Sequence, residues 1–292
     1  MNGSAWQDRL FRWGNAIFLV ILAAGMLFPF LYIFSVSFTT FDEFLKSDFL
    51  LWPKKWVPDA YLFIFHSRSF LRSLWMTVYL TVAGTAVNLI FTSTMAFGLS
   101  RNIYGGRAIT FMVLFTMLFS AGMIPTYLMV KMTGLLDSIW ALILPAAIAP
   151  FNLIVIRQFF QNIPGELYEA SVMDGANDLT IFRKIILPLS KPALAAFSLF
   201  YAVGHWNTYF AGILYLNDPK MWPIQVILRQ IVVLSDPKNA LGAVEQVLLD
   251  VQPPPETIQM AAILVATLPI LIVYPFLQKH FAKGVLIGSI KG

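Results

Sequence analysis

The chain contains no cysteine. That excludes a disulfide framework, a cysteine-ligated zinc site and a thiol nucleophile. Histidine is nearly as scarce. His66, His205 and His280 lie far apart and none belongs to an HExxH pattern, so no buried metal site is expected. Charge is scarce too, at 12% of residues, about half of the roughly 25% usual in soluble domains. With 58% hydrophobic residues and a mean hydropathy of +0.73, the deficit describes a membrane protein. The formal charge of +5 is modest, and no nucleic-acid partner is expected from it. No GxxxxGK[ST] phosphate loop occurs anywhere. If ATP drives this protein, another chain supplies the ATPase.

A spanning helix needs about 20 apolar residues. Stretches free of Asp, Glu, Lys and Arg occur at 14–38, 73–100, 108–130, 138–156, 192–217 and 257–278. They predict an all-α polytopic membrane protein, a single transmembrane domain over 1–292 with six transmembrane helices. Pro29, Pro125, Pro145, Pro150, Pro269 and Pro275 fall within these stretches. Proline in a span is tolerated where neighbours satisfy the freed carbonyl, and it often kinks the helix. With the N-terminus inside, the inner segments hold 11 basic and 5 acidic residues and the outer ones 9 and 10. That bias places both termini and the 157–191 loop in the cytoplasm. The first apolar stretch is too long for a signal-peptide core, and no small-residue cleavage site follows it, so it reads as an uncleaved helix. The longer outer loops are 39–72 and 218–256. Pro219, Pro223, Pro237 and Pro253-Pro254-Pro255 make the second one stiff.

The spans hold no carboxylate, lysine or arginine. An ion-coupled secondary transporter ordinarily needs such a group on its path, so this alternative lacks its coupling site. His205 is the sole histidine there and reads as a packing or pathway-lining polar group. An intramembrane enzyme would need a motif such as GxSxG or HExxH, and neither is present. A non-transporting scaffold is a further alternative. Sugar recognition favours aromatic faces beside amides and hydroxyls. Asn88, His205, Trp206, Asn207 and Tyr209 supply these groups in the spans. They serve equally as packing aromatics and interhelical hydrogen-bonding groups.

The loop at 163–189 is the polar interruption with the most internal order. Pro164 suits the start of a helix, and Glu166 and Glu169 favour its N-terminal end. Leu167, Ala170 and Met173 form one apolar stripe. Gly175 can adopt the left-handed conformation that ends a helix. Asn177 or Asp178 can cap a second helix, which carries Phe182, Ile185 and Ile186 on one side and is expected to end at Pro188. Ala170, Ser171, Gly175 and Ala176 are small enough, on an exposed turn, to admit another protein's backbone. The other reading is an amphipathic connector lying flat on the membrane.

This loop resembles the EAA motif of ABC importer permeases: Glu-Ala-Ala, three residues, Gly, nine residues, Ile, one residue, Leu-Pro. Here it reads Glu169-Ala170-Ser171, Gly175, Ile185, Leu187-Pro188, with Asp174-Gly175-Ala176 matching the common DGA core. Ser171 in place of the third alanine is the one departure. Six spans with the loop between the fourth and fifth extend the resemblance over nearly the whole chain. The Ile290-Lys291-Gly292 ending and Trp206-Asn207 resemble the carbohydrate branch, the maltose-type second permease. Within it the chain is similar to importers of polyuronate oligosaccharides, the alginate importer among them.

The resemblance implies a type I ABC importer permease fold in a bacterial inner membrane. It implies a second homologous permease, two ATPase subunits that carry ATP and Mg, and an extracytoplasmic solute-binding protein. It makes the loop's two short helices the ATPase-docking element, with Glu169 facing a basic residue. The tail would touch the ATPase, and the 218–256 loop would reach into the binding protein.

Overall fold

The computed structural model describes residues 3–46, 50–233 and 253–289, and these are helical with no strand. In chain order the helices are α1 (Gly3–Ser37), α2 (Phe41–Lys46), α3 (Asp59–His66), α4 (Arg68–Ser100), α5 (Gly106–Leu118), α6 (Met123–Met132) and α7 (Trp140–Ile143). They continue as α8 (Pro150–Gln161), α9 (Gly165–Met173), α10 (Asp178–Ile181), α11 (Leu187–Leu189), α12 (Lys191–Trp206), α13 (Phe210–Tyr215), α14 (Ile224–Val232) and α15 (Pro255–Ser289).

Among the described residues three helices are long and apolar enough to cross a membrane unaided, namely Asp8–Ser37, Arg68–Ser100 and Pro255–Val273. Two bent pairs bring the total to five: Trp140–Ala146 with Pro150–Gln161, bent by 54°, and Asp178–Leu189 with Lys191–Trp206, bent by 82°. The remaining apolar stretch, 108–130, is not one helix. It is interrupted at 119–122, where Gly122 takes φ +86. Pro125 gives the reason. Inside a continuous helix it would offer no N–H and its ring would clash with the carbonyl of residue 121; in the first turn of α6 neither problem arises. Pro150 likewise opens α8, and Pro145 lies in the 3-10 turn Leu144–Ala146. Only Pro29, Pro269 and Pro275 lie inside uninterrupted helices. The stretch at 192–217 also divides, between α12 and α13.

The chain forms two compact units, 1–71 with 228–267 and 72–227 with 268–292. In the first, the large apolar side chains of α1 from Leu10 to Leu31 are exposed, and only its last turn is enclosed, through Ser35, Val36 and Ser37. Phe34, Phe38, Trp56 and Tyr61 pack round that end, with neighbouring ring centroids 4.6–5.9 Å apart. The Ser37 hydroxyl donates to the Phe34 carbonyl, so its 2.7 Å bond to Tyr61 is donated by the phenol. Glu43 accepts the Lys54 N–H at 2.7 Å, which holds its carboxyl below the usual range.

The second unit has two packed clusters. One joins Leu80 of α4, Val130 of α6, Leu142 and Ile143 of α7, and Tyr215 and Leu216 at the end of α13. Asp137, in the left-handed region at φ 56, closes this end by accepting the Asn217 side-chain amide at 2.8 Å. The other joins Leu99 of α4, Leu153 and Ile156 of α8, Phe197 of α12, and Ile181, Phe182 and Ile186 of the polar loop. Between helices in lipid, van der Waals fit holds such clusters together, because lipid tails are as apolar as the core. The loop's second half is therefore built into the bundle.

Candidate functional site

α9 starts directly after Pro164 and ends in a double backbone closure. Ala176 N–H donates to Ser171 O at 3.0 Å and Gly175 N–H to Val172 O at 2.9 Å. This is the Schellman arrangement, and it demands the left-handed φ of +79 that Gly175 adopts. The Asn177 side chain then accepts Thr180 N–H at 2.9 Å and caps α10. Phe182–Ile186 continues as a π turn in which Leu187 N–H reaches the Phe182 carbonyl. Pro188 has no N–H for the Lys184 carbonyl, which locally disfavours the ordinary α ladder. The second helix does not end at Pro188, however. Leu187–Leu189 carries it to Ser190, where the chain bends into α12.

Burial sorts the loop into two faces. Ser171, Ile181, Phe182 and Ile186 are buried, and Ala176, Ile185 and Leu187 are half-buried. Glu169, Ala170, Asp174, Gly175 and Pro188 are exposed. So are Leu167, Val172, Leu179 and, at 87%, Met173. The apolar stripe of α9 thus points away from the body of the chain. Ser171 is not on the exposed turn; its hydroxyl donates to the Leu167 carbonyl inside the helix.

Two contacts that the sequence reading missed brace this region, the first tying the loop to the end of α4 and the second tying α8 to α4. The Arg101 guanidinium stacks 3.7 Å above the Tyr168 ring and 4.9 Å from Phe97. Tyr168 in turn donates its hydroxyl to Asp178 at 2.8 Å, which keeps the phenol protonated above its ordinary range. Arg157 of α8 donates Nε to the Leu99 carbonyl at 2.8 Å. No periodicity signals an arginine–tyrosine stack 67 positions apart.

Asn88 and His205 come together at 2.7 Å, both buried. The Asn88 amide nitrogen donates to the Ala146 and Ala147 carbonyls at 2.6 and 3.1 Å, so its oxygen faces His205 and Nε2 carries the proton. Trp206 is buried and Tyr209 half-buried. Asn207 is exposed, its amide donating to Val203 O at 2.8 Å. Nearby, the buried Tyr201 hydroxyl meets Thr92 Oγ1 at 2.7 Å and accepts Ala149 N–H at 3.3 Å. Tyr201→Phe orphans that N–H and should cost about 1 kcal/mol. A thermal scan of the purified protein should read this as a midpoint about 2–4 °C lower; an unchanged midpoint would show that the pair carries no weight. Ile290, Lys291 and Gly292, and residues 234–252 of the outer loop, lie outside the described residues.

The bundle exposes an ordered, partly apolar loop at one end, a surface suited to another protein. Residues 89–287 match the family described as the binding-protein-dependent transport system inner membrane component, and the chain belongs to that family. It is 52% identical to the polygalacturonan/rhamnogalacturonan transport system permease protein YtcP of Bacillus subtilis (strain 168), over 98% of this chain and 100% of that one. It is 51% identical to protein LplC of the same organism, over 97% and 96%. Among solved structures it resembles a bacterial ABC transporter involved in the import of the acidic polysaccharide alginate. That likeness has TM-score 0.87, 37% identity, and 94% and 98% coverage. The protein is therefore a multi-pass ABC importer permease of the inner membrane, from the carbohydrate-importing group. It is not itself an enzyme; ATP and its hydrolysis belong to a partner ATPase.

Proposed function

We propose that this chain is one of two permeases of an importer for uronic-acid-rich oligosaccharides of the polygalacturonan or rhamnogalacturonan type. The observation that carries the substrate class is identity over nearly full length, 52% to the polygalacturonan/rhamnogalacturonan permease against 37% to the alginate one. A binding protein delivers the sugar outside, and one of the two ATPase subunits takes the exposed face formed by Glu169, Ala170, Asp174 and Gly175 into its groove. Both termini lie in the cytoplasm, and the tail at Ile290, Lys291 and Gly292 meets the ATPase. The loop 218–256 engages the binding protein.

ATP-driven closure of the ATPases moves α9, and the buried Ile181, Phe182 and Ile186 carry that motion to α4, α8 and α12. The bundle switches as a rigid body between inward- and outward-facing states. ATP shifts that equilibrium only by its differential affinity for the two states. Along the pathway, Trp206, Asn207 and Tyr209 offer the aromatic and amide groups. Asn88 and His205, bonded to each other, set the spacing of α4 and α12 beside them.

The test is reconstitution of the complete importer with its binding protein. Galacturonate oligomers should stimulate ATP hydrolysis at least severalfold more than alginate oligomers. A preference for alginate would overturn the substrate assignment. Uptake that stops on collapse of an ion gradient with ATP intact would overturn ATP-driven import itself.

A further inference from the structure

A cavity of about 750 Å³ opens beside the end of α4, walled by the 99–107 turn, the first half of α5 and the last half of α8. Its lining includes Arg101, Arg107 and Arg157, and no aspartate or glutamate. Inner loops of any membrane protein are rich in arginine, but that bias scatters charge and does not bring three arginines to the lining of one hollow. Arg101 Nε itself is enclosed by the chain, beside the Tyr168 ring on which its guanidinium stacks, so the donors free to face the cavity are the outer ones.

The remaining wall is of a different kind. Phe111 and Leu114 of α5 line the cavity, and no residue of α5 is buried by the described chain. At the mouth, Ile103 and Tyr104 are exposed, Tyr104 completely. A tyrosine beside apolar side chains is the usual composition of a membrane–water boundary. The Arg101–Tyr168 stack puts this boundary on the same side as the docking loop. The hollow thus offers cationic donors at one end and an apolar helix leading into the membrane at the other.

We propose that this cavity binds the phosphate headgroup of an anionic phospholipid, with an acyl chain lying along α5. Basic pockets between spans on the cytoplasmic side suit such headgroups. A free phosphate would satisfy the arginines but leave Phe111 and Leu114 unused. A carboxylate from another subunit would do the same, and the uncovered apolar side chains of α5 favour the lipid. Because Arg101 also stacks on Tyr168, an occupied site would brace the root of the docking helix.

The experiment uses the complete importer in vesicles carrying a photoactivatable phosphatidylglycerol, or its phosphatidylcholine counterpart. Cross-linked peptides are then identified by mass spectrometry. The phosphatidylglycerol probe should label the 99–114 segment, and phosphatidylcholine should label it far less. Arg107→Gln should lower labelling about fivefold, the weight of one basic side chain near an anionic surface, and Arg107→Lys should restore most of it. Arg107 is exposed, so neither exchange threatens the fold. Equal labelling by the two lipids, or no effect of Arg107→Gln, would overturn the site. Displacement of the probe by millimolar inorganic phosphate would assign the site to the free ion and overturn the lipid. None of these readouts depends on which sugar is carried.

Discussion

Glu169→Lys is expected to abolish coupled transport while leaving the amount of protein in the membrane unchanged. Glu169 is exposed on α9, between the outward-pointing Leu167 and Met173. Its carboxylate makes no side-chain hydrogen bond among the described residues, so within the chain its charge has only the modest helix-end interaction to lose. The proposed role is for a partner. The family resemblance supplies that partner as a basic residue in an ATPase groove. Losing one member of an enclosed charge pair costs about 2–5 kcal/mol, and setting like charges together costs more. On the order of a hundredfold weaker docking follows, read as loss of the ATPase subunits on co-purification and loss of sugar-stimulated hydrolysis. Glu166→Lys, one turn earlier and outside the motif, is the control. It forfeits only a helix-end charge interaction of about 0.3–1 kcal/mol. Normal transport by Glu169→Lys would remove α9 from the docking role.

The same loop shows how far residue spacing reaches. The turn at Gly175, a cap at Asn177 or Asp178 and the two-helix division were legible, because each depends on local backbone chemistry; the structure chooses Asn177. The direction of the α9 stripe was not. A period of three or four residues says that Leu167, Ala170 and Met173 share a face, but not whether that face meets its own chain or another. The exposure of Met173 answers that. The π turn at Phe182–Ile186 escaped for a different reason: its residues fit an ordinary helix, and Pro188 perturbs it from outside.

The stretch at 108–130 shows the same limit, because one uncharged run is carried by two helices, α5 and α6. Lack of charge marks what the membrane accepts, not what the backbone does there. Gly122 and Pro125, read as a pair, were the available signal for the break. Asn88 with His205, 117 positions apart, and Arg101 with Tyr168 are tertiary facts that no local pattern encodes. Sequence reading named Asn88 and His205 for their chemistry without joining them, and it passed over Arg101 because an inner-loop arginine is ordinary.

Gly84→Ala is expected to be the most damaging single methyl in the bundle. A Cβ at residue 84 would lie 2.5 Å from His205 Nε2, 2.6 Å from Cε1 and 2.7 Å from Cδ2. Contacts below 3.0 Å do not occur, so the ring must move. It cannot do so cheaply. His205 is buried and held by Asn88, whose amide is itself committed to the Ala146 and Ala147 carbonyls. Moving the ring breaks the Nε2 bond and leaves the Asn88 oxygen enclosed without a donor. Overpacking costs about 1–3 kcal/mol, and the orphaned acceptor about 1–3 more. Gly204→Ala is the contrast. A Cβ there meets nothing within 4 Å, and alanine favours the helix by about 1 kcal/mol, so it should be neutral or better. The decisive comparison is the pair Gly84→Ala with His205→Ala. Removing the ring removes the clash, so the double variant should melt well above the midpoint that the two single losses predict when added. Strict additivity would mean that Gly84 is needed for something other than room for His205.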